Sequence, residues 1–245
     1  MAAIACGVGA LGALLLVYAR TRRTPEPPGL PAADARLVAA LRSKIPLDPM
    51  ALDADPYLTW RGKDPLPASP GMVCAVRFEP DALHYRLATF ATEEKARAAG
   101  WAVTHAGACG TCSTLRDLAV YLEQPDLTAP VRRCALKLSA EARLACIEGL
   151  GFTRACASTW EYNVENTRRE CLGVCLLSWI EAESSTDAEG RLNPCLRCDE
   201  DRSGPVFKAT AGRTRRNSGI RSSIRREDEE IAHVAHDYVP GAPER

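Results

Sequence analysis

The sequence predicts a mainly α-helical (α+β) fold: an N-terminal transmembrane helix, a small β-α-β unit, and then a cysteine-rich helical bundle. Three observations predict it. Residues Ala2 to Ala19 form an apolar run without a charge, long enough to cross a bilayer as a helix. Residues 71–105 contain short alternating stretches around one helical stretch, whereas the chain from Asp126 onward is dominated by helical periodicity. Finally, of the 11 cysteines, all but Cys6 lie beyond the apolar run, most of them at paired spacings, as disulfides or metal ligands require.

At 46% hydrophobic and 25% charged, the 245-residue chain can bury one ordinary core. Lys+Arg and Asp+Glu balance at 31 each, so no global field draws it to nucleic acid, and no nucleic-acid partner is expected.

Taken in order, residues 1–19 read as a transmembrane anchor or a signal segment, ended by Arg20, Arg22, Arg23 and a Pro-rich stretch. Residues 20–70 read as a Pro-rich tether with one short amphipathic helix over Ala33–Ile45. Residues 71–200 form the cysteine-rich α+β domain. Gly71–Phe78 and His84–Phe90 alternate as strands do, and Thr92–Gly100 has an N-cap Thr, acids in its first turn and a closing Gly. Trp101–His105 supplies the next strand. Helices follow over Leu127–Leu138, Ser139–Gly149 and Thr153–Ile180, the last carrying Cys156, Trp160, Val164, Cys171, Cys175 and Trp179 on one broad face. Residues 201–245 read as a basic helix and an acidic C-terminal tail: Arg202 to Arg226 hold no acid, and Glu227 to Glu230 are all acidic.

The expected topology is a single-pass membrane protein, tethered through residues 2–19. Its orientation is contested within the sequence. The arginines after the span place the main domain in the cytosol by the positive-inside rule, while the cysteine count favours an oxidising lumenal or extracellular side. The cysteines are given the greater weight.

Chemistry is concentrated in the cysteines. Cys109-Gly-Thr-Cys112 lies between a β-favouring run and a helix-forming stretch, so both thiols are expected near a helix N-terminus, where unpaired N–H groups favour the thiolate. His105 precedes the pair by four residues and is a candidate to tune it. The expected disulfide cysteines are Cys109, Cys112, Cys134, Cys146, Cys171, Cys175, Cys195 and Cys198. Two alternatives use the same residues. One is a thiol-disulfide oxidoreductase with Cys109, Cys112 and His105 in catalytic roles; the other is a zinc module with Cys109, Cys112, Cys195 and Cys198 as thiolate ligands. No cofactor is otherwise expected, apart from a calcium alternative described below.

Four resemblances bear on these readings. The order and spacing of Cys109, Cys112, Cys134, Cys146, Cys171 and Cys175 is similar to the six-cysteine pattern of saposin-like helical domains, which implies pairs 109–175, 112–171 and 134–146. Trp101–Leu122 looks like the thioredoxin active-site segment, which implies Cys109 as the attacking thiol and Cys112 as the resolving one. Asp199, Asp201 and Ser203 with Gly204 and Val206 resemble the start of an EF-hand calcium loop, although Thr210 stands where that loop has Glu. Finally, Cys-Gly-x-Cys-Ser at 109–113 with Asp117 and Tyr121, Gly151-Phe-Thr-x-x-Cys156, and Cys195-x-x-Cys198-Asp-Glu-Asp-x-Ser-Gly-Pro-x-Phe207 resemble a family of uncharacterised cysteine-rich, membrane-anchored proteins of microbial eukaryotes; that resemblance covers 84–238 and implies no activity.

Together these readings predict a membrane-tethered, disulfide-stapled, non-enzymatic interaction module with an unknown protein or lipid partner.

Overall fold

The computed structural model describes residues 34–60, 71–181, 183–187, 189–224 and 226–241. Its first helix, α1 (Ala35–Ser43), starts where the Asp34 side chain accepts the Arg36 N–H, and buries Leu37, Val38 and Leu41. A two-residue strand β1 (Ile45–Pro46) and a short helix α2 (Pro56–Thr59, capped by Asp55) follow. Next come β2 (Val73–Phe78), β3 (His84–Phe90), α3 (Glu93–Ala98) and β4 (Ala102–Ala106). The remaining helices are α4 (Leu115–Glu123), α5 (Thr128–Ala135), α6 (Ala140–Glu148), α7 (Arg154–Ile180), α8 (Pro194–Arg202) and α9 (Gly204–Ala211).

The strands form one sheet in the order β1-β3-β2-β4. The hairpin β2–β3 pairs antiparallel, and α3 then carries the chain to the far side of β2, where β4 also pairs antiparallel. The β3-α3-β4 unit is therefore split, because β2 lies between its strands. The apolar run from Val73 to Val76 explains this position: all four residues are buried, as a strand flanked on both sides requires.

One core layer joins the sheet to helices: Val76 and Tyr85 pack with Leu37 and Leu41 of α1 and Leu115, Leu118 and Ala119 of α4. A second, helical core gathers Tyr121, Val131, Ile147, Phe152, Cys156 and Val164. Burying each such large side chain stabilises the fold by about 1.5–3 kcal/mol.

The result is a mixed α/β fold, with 49% helix and 11% strand, which corrects the expectation of a mainly helical protein with a transmembrane helix. No helix among the described residues is long and apolar enough to cross a membrane. The 27-residue α7 carries Glu161, Glu165, Arg168, Arg169 and Glu170 in its middle, and such charges are costly in hydrocarbon. The run Ala2–Ala19 lies outside the described residues. The single-pass tether through residues 2–19, the membrane partner, and the placement of a tethered main domain on the lumenal or extracellular side of a membrane are accordingly not retained.

The basic stretch after Arg202 is not one helix. It is helical only to Ala211; Gly212 then turns at φ +69°, and a 3-10 turn spans Arg216–Ser218. Two of its arginines pair with the acidic segment, Arg216 with Glu230 at 2.9 Å and Arg221 with Asp228 at 2.8 Å.

Candidate functional site

The Cys-Gly-Thr-Cys loop follows β4 and precedes α4, whose N-cap is Thr114. Its two cysteines are not partners. Cys109 bonds Cys74 of β2, and Cys112 bonds Cys156 of α7. The loop thus fastens the sheet on one side and the long helix on the other. Three further bridges join Cys134 to Cys146, Cys171 to Cys198, and Cys175 to Cys195. The last two lie one turn apart on α7 and clamp α8 along it, as residues four apart on one helix face allow.

These bonds correct the two alternatives built on free thiols. A dithiol at 109 and 112 is required for exchange, yet each sulfur is committed to a different element, so the oxidoreductase reading fails. Zinc ligation by Cys109, Cys112, Cys195 and Cys198 fails for the same reason, since a ligand must be a thiolate. Of the pairs implied by the saposin-like resemblance, 134–146 is present, while Cys171 and Cys175 turn to α8 rather than to the loop.

The calcium reading is corrected as well. Asp199 and Asp201 lie inside α8, not in a loop. Asp199 accepts hydrogen bonds from Asn163 at 3.1 Å and from Thr167, and Asn166 donates to the Ser203 hydroxyl at 3.1 Å. Burial raises the Asp199 carboxyl pKa, opposed by these hydrogen bonds. Among the described residues, no group of three or more His, Cys, Asp or Glu side chains is arranged to hold a metal.

His105 faces Ser113 rather than a sulfur. Its Nδ1 donates to the Ala106 carbonyl at 2.8 Å, leaving Nε2 to accept the Ser113 hydroxyl at 2.8 Å. Ser113 Oγ in turn accepts the Gly110 N–H at 2.8 Å. Both side chains are fully buried, so this Ser–His pair has no route to a substrate and instead fixes the loop. Burial, followed by the nearby Arg213 and His236, holds the His105 pKa well below its ordinary value. Arg213, also fully buried, donates to the carbonyls of Thr104 and Ser113 and to the Ser218 hydroxyl.

A feature with room for a ligand adjoins the loop, with Ala106, Gly107 and Ala108 lining part of it. A groove of about 1370 Å³ runs between α5, α7, α8, α9 and the basic segment, somewhat larger than ordinary small-molecule pockets. Its apolar wall includes Trp60, Val131, Trp160, Leu172, Leu176 and Trp179. An aromatic chain backs it, with ring centroids 5.6 Å apart for Tyr121 and Phe152, 6.1 Å for Phe152 and Trp160, and 4.7 Å for Trp160 and Phe207. Toward the C-terminal end of α7 the wall opens, with Leu172, Leu176 and Trp179 all more than 45% exposed. The predicted apolar face of this helix is therefore packed only in part: Cys156, Val164 and Cys171 are buried, whereas Trp179 faces out along the groove.

Sequence reasoning missed this groove, together with Cys74 and Cys156 as bridge partners. The signal for the groove was the excess of Leu and Trp between 172 and 180, beyond what a helix with charged neighbours needs for its own packing.

A family model described as a family of unknown function (DUF8771) matches residues 140–234. The match runs from α6 through the basic and acidic segments, so it includes the α7–α8 clamp and much of the groove wall but neither the sheet nor the Cys-Gly-Thr-Cys loop. No curated protein and no solved structure matches the chain.

Proposed function

We propose that this protein is a disulfide-framed binding protein that takes an elongated apolar small molecule into the groove between α5, α7, α8 and α9. The observation that carries this reading is the groove itself. Its wall exposes Leu172, Leu176 and Trp179 on a helix that two adjacent disulfides hold in place. Exposed apolar side chains gathered in one concave surface mark a binding site more often than scattered ones do. Rigid walls suit the task, because a site fixed before binding spends less free energy on ordering its side chains.

Titration of the oxidised protein with 1-decanol, followed by tryptophan fluorescence, tests the reading. Saturable binding is expected, weakened at least about tenfold by L172D/L176D, since a charge replaces apolar contact worth more than about 1.4 kcal/mol. Because both leucines are half exposed, the double variant is expected to keep the thermal unfolding midpoint. Absence of saturable binding, or equal binding by the double variant, overturns the reading.

A further inference from the structure

Sulfur holds α8 against the groove more than packing does. None of its nine residues joins a hydrophobic core, and its one large apolar side chain, Leu196, lines the groove. A helix this short has little stability of its own in water. Its polar attachments sit toward its two ends: the Asn193 amide donates to the Ser184 carbonyl at 2.9 Å, Asp199 accepts the Asn163 amide at 3.1 Å, and Glu200 accepts the Lys208 ammonium at 2.9 Å. Between them, residues 194–198 are tied to α7 by Cys175–Cys195 and Cys171–Cys198.

The five bridges differ in access. Cys74, Cys112 and Cys156 are 0% exposed, and Cys134 and Cys171 are 1% exposed, so four bridges each have at least one cysteine sealed in the interior. Cys175–Cys195 is the exception, since both cysteines are partly exposed and both line the groove. Cys195 also stands in the first turn of α8, just after the Asn193 cap and Pro194. There the unpaired N–H groups and the helix dipole favour a thiolate. A nucleophile that attacks Cys175 therefore finds a good leaving group in Cys195.

Resting on the groove reading above, we propose that Cys175–Cys195 is a reducible latch on the groove, opened by a dithiol reductant while the other four bridges stay closed. One thiolate of the reductant bonds to the Cys175 sulfur, and the Cys175–Cys195 bond breaks with its electron pair passing to Cys195. The second thiol of the reductant then attacks the reductant sulfur of that mixed disulfide and expels Cys175. The reductant leaves as a disulfide, and its two protons pass to the two cysteines. Residues 194–196 thereby lose their tie to α7, and the side of the groove formed by Leu192 and Leu196 swings out about Cys171–Cys198, which keeps the rest of α8 in place. The groove holds its apolar ligand when this bridge is oxidised and gives it up when the bridge is reduced.

The test exposes the oxidised full chain to dithiothreitol in steps, traps the freed thiols with iodoacetamide at each step, and maps them by mass. Cys175 and Cys195 are expected to be alkylated together and at least about fivefold faster than any other bridged cysteine, since access governs exchange. C175A/C195A, which mimics the opened latch, is expected to bind 1-decanol at least about tenfold more weakly than the oxidised wild type. C134A/C146A loses a bridge outside the groove lining and is expected to keep decanol affinity within about twofold. Another bridge opening first, all five opening together, undiminished binding by C175A/C195A, or an equal loss in C134A/C146A overturns the latch and leaves the groove reading intact. Absence of decanol binding by the oxidised wild type overturns both.

Discussion

Buried polar side chains around the Cys-Gly-Thr-Cys loop carry a pH dependence that can be read from single residues. His105 is neutral in the folded state because burial, reinforced by Arg213 and His236, keeps its pKa well below the usual 6.5. The unfolded chain therefore binds a proton that the folded chain refuses, and stability must rise with pH across that window. The contribution is fully present above about 6.5 and is lost as pH falls toward the folded value, by up to about 1.4 kcal/mol per pH unit. Asp117 and Asp199 act in the opposite sense. Their folded values are raised by burial, so their contribution is lost as pH rises through those values. Comparing variants separates the two: urea unfolding from pH 7.5 to 5 is expected to show a steeper loss for the wild type than for H105Q, and parallel slopes contradict the assignment. A protonated ring would also point a second N–H at Ser113 Oγ, which already accepts from Gly110.

At the scale of elements, the loop and α9 approach backbone to backbone. Thr111 and Cys112 donate their N–H groups to the carbonyls of Thr210 and Ala211 at 3.0 and 2.9 Å. A Cβ on Gly110 would stand 2.4 Å from the Thr210 oxygen, and one on Gly212 would stand 2.4 Å from the Gly110 nitrogen. Gly212 also has φ +69°, where a side chain is strained. G110A and G212A are each expected to lower the unfolding free energy by more than about 2 kcal/mol. By contrast, G173A on the exposed face of α7, with nothing within 4 Å, is expected to raise it by about 0.5–1 kcal/mol. Denaturant unfolding of the three variants checks this, and a neutral G212A contradicts the contact. Glycine in the loop was visible in the sequence, but its partner was not, because one hundred or so residues separate two backbones that only the fold brings together. Local signals did better: the expected N-cap Thr92 accepts the Lys95 N–H at the start of α3, since a cap depends on the neighbouring few residues alone. Ser203 precedes α9 but makes no capping bond, its hydroxyl being taken by Asn166 and Thr167.

Across the whole molecule, cysteines fasten sheet to helices and helix to helix. Each bridge restricts the unfolded chain by closing a loop; the longest spans 44 residues, Cys112 to Cys156, and joins the two halves of the fold. Pairings of this kind were not legible from spacing. Cys109 and Cys112 look like a local unit in the sequence, yet β4 delivers the first beside β2 and the second beside α7, and tertiary adjacency decides. The 134–146 bridge was easier to read because it closes a hairpin of two consecutive helices. The groove depends on the same framework, since α7 and α8 hold its wall through Cys171–Cys198 and Cys175–Cys195. A disulfide map therefore tests the central claim most directly. Trypsin cuts the chain into peptides 64–77, 98–116 and 155–168, carrying Cys74, the Cys109/Cys112 pair and Cys156. Mass spectrometry of the unreduced digest is predicted to find these three joined as one species, with fragments assigning 74 to 109 and 112 to 156. Peptide 98–116 released alone with an internal Cys109–Cys112 bond, or with free thiols, would contradict it.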